Sequence, residues 1–202
     1  MPRAGLDLAV VTQAGAELVD EIGFTQLSMG QVAERLGVKT PSLYKHVTSQ
    51  ADLAHRIAVL GANELGDVVG AAVQGLAGSA ALAAAAQALR GYVNDHPGRY
   101  AALNTARPTG PDDPFTAASE RALGPLVAVL RGYDLPPAQQ IHALRMLRSI
   151  LHGYVTLEVS AGFQYSTDID DSFTWMVDLI DYALHATATG SSTQHPAPRC
   201  AD

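Results

Sequence analysis

The sequence predicts an all-α protein in two parts, an N-terminal three-helix helix-turn-helix domain and a C-terminal helical domain. Three observations predict it. Alanine and leucine are abundant and recur at helical spacing, while the alternation of a half-buried strand is scarce. Ser, Asp, Gly and Pro fall where helices would start and stop. Residues 27–53, LSMGQVAERLGVKTPSLYKHVTSQADL, read as two short helices joined by a tight turn and running at once into another.

The first helix is expected over 7–22, with Leu8, Val11, Ala14, Leu18 and Ile22 on one stripe and Gly23 at its end. Ser28 is a good N-cap for the second, with Gln31 as capping-box partner. Val32, Ala33 and Leu36 give that helix an apolar side. Gly37 stops it, because positive φ costs glycine little. Thr40 is placed to cap the third helix, with Pro41 at its first position, where no amide hydrogen is needed. Leu43 and Val47 face inward at i, i+4. Thr40, Ser42, Tyr44, Lys45 and His46 are left on other faces.

Ser49 caps a long fourth helix over 50–76, with Leu53, Ile57, Leu60, Leu65 and Val68/Val69 inward. Gly61, Gly66, Gly70 and Gly75 weaken it and favour a bend or an early end. A fifth helix covers 78–95, and His96-Pro97-Gly98 breaks it. A sixth covers 99–106. The 107–114 stretch is the clearest loop. The seventh, over 115–132, meets a disturbance at Gly124-Pro125. Pro136-Pro137 starts the eighth, which continues to 161. Asp168, Asp170 and Asp171 open the ninth, where carboxylates suit the positive end of the helix dipole, and it fades near 187. Residues 190–202 are polar and proline-containing and are expected to be disordered. The expected division is therefore 1–48, 49–189 and a tail, 190–202.

Composition excludes several classes. No run approaches 18 apolar residues, so no membrane-spanning helix is expected, and the first ten residues do not read as a signal peptide. The single cysteine, Cys200, rules out an intramolecular disulfide framework and suits a reducing cytoplasm. A net charge of −7 argues against a protein that coats nucleic acid generically. Between Arg35 and Ala51, however, stand Arg35, Lys39, Lys45 and His46 and no carboxylate. The acids gather elsewhere, at Asp112, Asp113, Asp168, Asp170, Asp171, Asp178 and Asp181. That asymmetry aims one end of the molecule at DNA. There is no HExxH, CxxC or GxSxG, and 168–171 lacks the glycine and distal glutamate of a calcium loop. Neither catalysis, nor a metal, nor a cofactor is expected.

At these residues the chain resembles a known family. The segment 8–53 resembles the DNA-binding domain of TetR-family transcriptional regulators. The residues that carry the resemblance are Gly23-Phe24, Leu27-Ser28, the run from Val32 to Val38, the run from Pro41 to Val47, and Asp52-Leu53. Leu151-His152-Gly153, with the stretch from Asn94 to Tyr100, resembles a subgroup named for a Trp-His-Gly motif, although the tryptophan is missing here. The resemblance implies that the third helix reads the major groove, with Lys39, Thr40, Pro41, Ser42, Tyr44, Lys45 and His46 at DNA-touching positions. Ser28 and Gln50, at the starts of helices two and four, complete the set. Thr40 and Ser42 suit base edges or phosphate, Pro41 a thymine methyl, and Tyr44, Lys45 and His46 phosphate oxygens. Many relatives carry a lysine where this chain has Gln50. Gly30 has no side chain to read a base.

The resemblance further implies a homodimer through the last two helices, a near-palindromic operator and a small-molecule effector. Leu144, Leu147, Leu151, Val155 and Val159, with Phe173, Met176, Val177, Ile180 and Leu184, are the stripes expected to pair with their symmetry mates. Polar or polarisable groups on otherwise apolar faces are the candidate ligand contacts: Tyr92, Tyr100, Asn104, Met146, His152, Tyr154 and Trp175. For each of them core or interface packing is the alternative. The rival to the regulator is a helical interaction module whose helix-turn-helix is only structural. Gln50 and the net charge favour it, and operator binding separates the two.

Overall fold

The computed structural model describes residues 5–189, which form nine α-helices and one 3₁₀ turn, with no strand among them. The disorder expected for 190–202 lies outside the described residues. Helix α1, Leu8–Ile22, is capped by Asp7, whose carboxylate accepts the Val10 amide at 2.8 Å. Gly23, at φ +90°, ends it. The 3₁₀ turn Phe24–Gln26 leads to α2, Met29–Arg35. Ser28 accepts the Gln31 amide at 3.3 Å, and its hydroxyl donates to the Gln31 side chain at 2.7 Å. Gln31 thus closes on the Ser28 hydroxyl rather than on the backbone amide that a capping box uses. At the far end Gly37 takes φ +65°. The Val38 amide reaches Ala33 O and the Gly37 amide reaches Glu34 O, both at 3.0 Å, a Schellman ending.

Helix α3 is Thr40–Leu43. Thr40 is not its cap. Lys39 holds that position without a side-chain bond, so Thr40 is the first helical residue and Pro41 the second. The first turn of a helix has amides without intrahelical partners, so the proline is tolerated at either place. The coil outlasts Leu43, whose carbonyl accepts both the His46 and the Val47 amides. Leu43 and Val47 are buried with Val11, Val19 and Val32 beneath Leu53 and Ile57.

Helix α4, Gln50–Ala72, ends before the predicted limit, and Gly75 takes φ +74° just beyond. Its glycines serve packing. A Cβ on Gly66 would stand 2.8 Å from the carbonyl oxygen of Arg121 on α7, Pro114–Arg131. Pro125 explains this. It lies inside α7 without breaking it, and it cannot donate to the carbonyl four residues back, which is that of Arg121. A side-chain-free residue lets α4 close on that exposed carbonyl. Helix α5, Gly78–Asp95, and α6, Pro97–Thr105, complete the packing around α4. Pro97 starts α6 two residues earlier than predicted, and Gly98 packs so closely on α1 that a Cβ would collide with the Val19 carbonyl.

Helices α8, Pro137–Val159, and α9, Ile169–Thr189, close the C-terminal domain. Arg90 of α5, nearly buried, bonds Glu158 at 2.8 and 2.5 Å and reaches Asp170 at 2.7 Å, with its guanidinium 4.7 Å from the Phe173 ring centre. The predicted dimer stripes need correction. Leu147, Leu151, Val155, Phe173, Val177, Ile180 and Leu184 are all buried within one chain, so they are core. Of the predicted stripes only Val159 is outward, and the rest of the outward apolar set is Ile141 and Leu157 on α8 and Trp175, Leu179 and Tyr182 on α9.

Candidate functional site

The reading end is built by the motif's own packing. With Leu43 and Val47 buried, α3 turns its other faces to solvent. Lys39, Pro41, Tyr44, Lys45 and Gln50 are exposed, and Thr40, Ser42, His46 and Ser28 are half-buried. Gln50 is the first residue of α4. Ser28 has its hydroxyl committed to the α2 cap. The charge count of this end is lower than the sequence suggests. Arg35 donates to both oxygens of Glu21 at 2.8 Å and to Glu17 at 3.2 Å, both on α1. The hydrogen bonds to Glu21 and Glu17 hold Arg35 charged, and those from Arg35 push the Glu21 carboxyl down. Arg35 therefore stitches α2 to α1. The lysines Lys39 and Lys45 make no ion pair among the described residues.

A second polar constellation joins this end to the rest of the molecule. Asp20 of α1 accepts the Arg99 amide at 2.9 Å and sits 3.2 Å from His96 Nδ1. Arg99 Nε lies 2.9 Å from the same carboxylate at an angle that makes no hydrogen bond, so that contact is ionic only. The Arg99 guanidinium also donates to Glu64 of α4 at 3.0 Å, and the Tyr92 hydroxyl donates to Glu64 at 3.0 Å and to Gly61 O at 3.2 Å. One buried arginine thus holds α1, α4 and α6 together. The sequence marked the stretch from Asn94 to Tyr100 only by its resemblance to the subgroup and His96-Pro97-Gly98 as a breaker, with no sign that Arg99 meets Asp20 and Glu64. A third junction ties the 107–113 segment to α4. Asp113 is 2.8 Å from His55 Nε2 and accepts the Thr109 hydroxyl at 2.6 Å, the Thr109 amide at 2.7 Å and the Phe115 amide at 2.8 Å. These bonds, the Thr109 hydroxyl first, hold its carboxyl well below the usual range.

Three spaces in the fold bear on the candidate ligand contacts. An open groove of about 1320 Å³ runs between α1, α4 and the 109–114 segment. The more enclosed space, about 350 Å³, lies inside the C-terminal domain among α4, α5, α6, α7 and α8. Tyr100 and Asn104 line it, and His152 Nδ1 is 3.0 Å from the Tyr100 hydroxyl. The other candidates lie elsewhere. Tyr92 belongs to the Arg99 network, not to the cavity. Met146 is half-buried against the core and lines none of these spaces. Tyr154 donates to Ile169 O at 2.6 Å and lines a separate recess of about 420 Å³ with Phe163 and Tyr165. Trp175 is 68% exposed on the outside of α9. The cavity also has linings that sequence reasoning missed, Arg107, Ser119 and Arg148. Arg148 was within reach, since it sits four residues before His152 on the same helical face.

The comparisons agree with this architecture. The family described as bacterial regulatory proteins, tetR family, matches residues 11–57, and the tetracyclin repressor-like C-terminal domain matches 82–180. An uncharacterized HTH-type transcriptional regulator of Mycobacterium tuberculosis is 36% identical, over 94% of this chain and 87% of its own. A solved structure of a protein of unknown function from Rhodococcus sp. RHA1 superposes with a TM-score of 0.76 at 20% identity, over 92% of this chain and 99% of that one. BioQ with its double-stranded DNA operator superposes with a TM-score of 0.65 at 18% identity, over 90% of this chain and 99% of that one. With both halves matched and a relative similar along nearly its whole length, this chain belongs to the TetR family of DNA-binding transcriptional regulators.

Proposed function

We propose that this regulator is a homodimeric repressor that binds a near-palindromic operator and is switched by a small molecule in the cytoplasm. One observation carries the reading: α3 presents Lys39, Pro41, Tyr44 and Lys45 to solvent, and the stretch from Arg35 to Ala51 holds no carboxylate to repel phosphate. Thr40 and Ser42 are the proposed base readers. Tyr44, Lys45, His46 and the start of α4 at Gln50 are the proposed phosphate contacts. With Ser28 committed to its cap, any contact there is through its residual acceptor capacity. The outward apolar stripe Trp175, Leu179 and Tyr182 on α9 is the proposed subunit face, with α8 beside it. A Cβ on Gly153 would meet nothing within 4 Å inside the protomer, which leaves room for a partner helix there. A twofold dimer sets its reading helices about 34–36 Å apart, one turn of DNA.

The proposed switch is a population shift. A ligand in the enclosed cavity touches α6 through Tyr100 and Asn104. Helix α6 carries Arg99, which grips Asp20 of α1 and Glu64 of α4. A small movement of α6 therefore reaches the reading end through bonds, and a ligand that prefers one α6 position redistributes the spacing of the two reading helices. The test is a Trp175→Glu/Leu179→Glu double variant in light scattering and DNA titration. The reading expects a dimeric wild type, a monomeric variant and a loss of DNA affinity of about 100-fold or more. A monomeric wild type, or a variant that stays dimeric, contradicts it.

A further inference from the structure

The enclosed cavity has an apolar side, with Leu89, Leu103 and Leu126 among its linings, and a polar side of similar extent. Its charged linings are of one sign. Arg107 and Arg148 border it, and no carboxylate does. Arg107 donates to the carbonyls of Asn104 and Ala106 at the end of α6, at 3.0 and 2.6 Å, and makes no ion pair among the described residues. Among the same residues Arg148 has no carboxylate within ion-pair distance and donates no hydrogen bond. Arg35, Arg56, Arg90, Arg99 and Arg121 are each spent on a carboxylate, whereas Arg107 and Arg148, both exposed, converge on the rim of one space without one. Guanidinium is the side chain best suited to hold a planar oxyanion through two bonds. The neutral groups at that rim complete the set: Asn104 and Ser119 line it, and Tyr100 presents a hydroxyl already bonded to His152. A cavity of about 350 Å³ is at the small end of the range for small-molecule sites.

We propose that the effector is a small organic anion, a carboxylate on an apolar body, with the charge held between Arg148 and Arg107 and the body laid against the leucines. The inference rests on the reading of this cavity as the effector site. Binding of the anion would offset one of the two positive charges and draw Arg107, just beyond the end of α6, toward Arg148 of α8. The ligand would thus pull on the helix that holds Asp20 and Glu64 through Arg99.

The experiment is calorimetric titration of the full dimeric chain with octanoate, octanamide and octylamine, which share one apolar body and differ in charge. Octanoate is expected to bind about tenfold tighter than octanamide or better, the worth of a charge-assisted bond, and octylamine more weakly than either. Arg148→Gln and Arg107→Gln are each expected to remove most of that preference, weakening octanoate binding by a larger factor than octanamide binding. Equal or tighter binding of the amide or the amine overturns the inference and leaves the ligand-switched reading standing. An octanoate preference that survives both substitutions together overturns it too. An Arg148→Gln variant that has become monomeric by light scattering assigns Arg148 to the subunit interface and overturns its role here. Absence of octanoate binding at millimolar concentration overturns the inference and leaves the ligand-switched reading standing.

Discussion

Arg35 and Lys45 lie ten residues apart in the same motif, yet they do different work. Arg35 is consumed by Glu17 and Glu21, whereas Lys45 faces solvent with no ion pair among the described residues. The account therefore predicts that Lys45→Ala weakens binding to every DNA sequence and lowers the slope of log K against log salt by about 1 for each subunit. Arg35→Gln is expected to leave the slope unchanged and to lower the melting temperature instead. Fluorescence anisotropy across a salt series checks both, and a slope that falls with Arg35 would return that residue to the DNA face. Asp113 gives a second prediction. Its carboxyl is depressed by bonds to Thr109, Phe115 and His55. A depressed folded pKa contributes stability that is complete above the unfolded aspartate value, about 3.9, and is lost as pH falls below it. Melting temperature should drop through that window in the wild type more steeply than in Asp113→Asn, which should already be less stable at neutral pH. Parallel pH profiles for the two proteins would contradict the anchoring role.

At the scale of elements, what could be read from the sequence and what could not divide along a physical line. Local signals placed every helix. Ser28, Ser49 and Gly37 act as the caps and stop that residue chemistry alone assigns them, while Asp7, read as the first helical residue, is the cap of α1. Thr40 was misplaced by one position, because a proline is equally acceptable at either of the first two helical sites and cannot fix the register. Contacts between distant helices left no local trace. The glycines of α4 looked like weaknesses, yet Gly66 faces the Arg121 carbonyl that Pro125 leaves free, 59 residues away along the chain at most. The apolar stripes of α8 and α9 were legible as stripes, but periodicity does not say whether a partner helix comes from the same chain or another. The residues proposed to face DNA come from one contiguous motif, whereas the cavity gathers side chains from five helices and a loop, so only Tyr100 and Asn104 of the seven candidates line it.

These contacts predict the sign of glycine substitutions. Gly98→Ala, which would collide with the Val19 carbonyl, should destabilise by about 1–3 kcal/mol or more, because backbone cannot move aside as a side chain can. Gly91→Ala, inside α5 with nothing within 4 Å of its Cβ, should stabilise by up to about 1 kcal/mol through helix propensity. Denaturant unfolding of the two variants checks the pair, and equal effects would mean that α6 does not pack on α1 as described.

For the molecule as a whole, the division of labour follows the charge. Acids cluster on the 168–181 stretch of the C-terminal domain, Lys39 and Lys45 flank α3 in the N-terminal domain, and Arg99 joins α6 to α1 and α4. The central claim is that this arrangement recognises a specific operator as a symmetric pair. The most direct test is selection of bound sequences from random duplex DNA by the purified protein at one fixed, moderate salt concentration. The account predicts enrichment of a near-palindrome whose half-sites are centred about 10 base pairs, or a multiple of that, apart, lost on replacing Thr40 and Ser42. Enrichment of a single unrepeated half-site, or none in either the absence or the presence of octanoate, would contradict it.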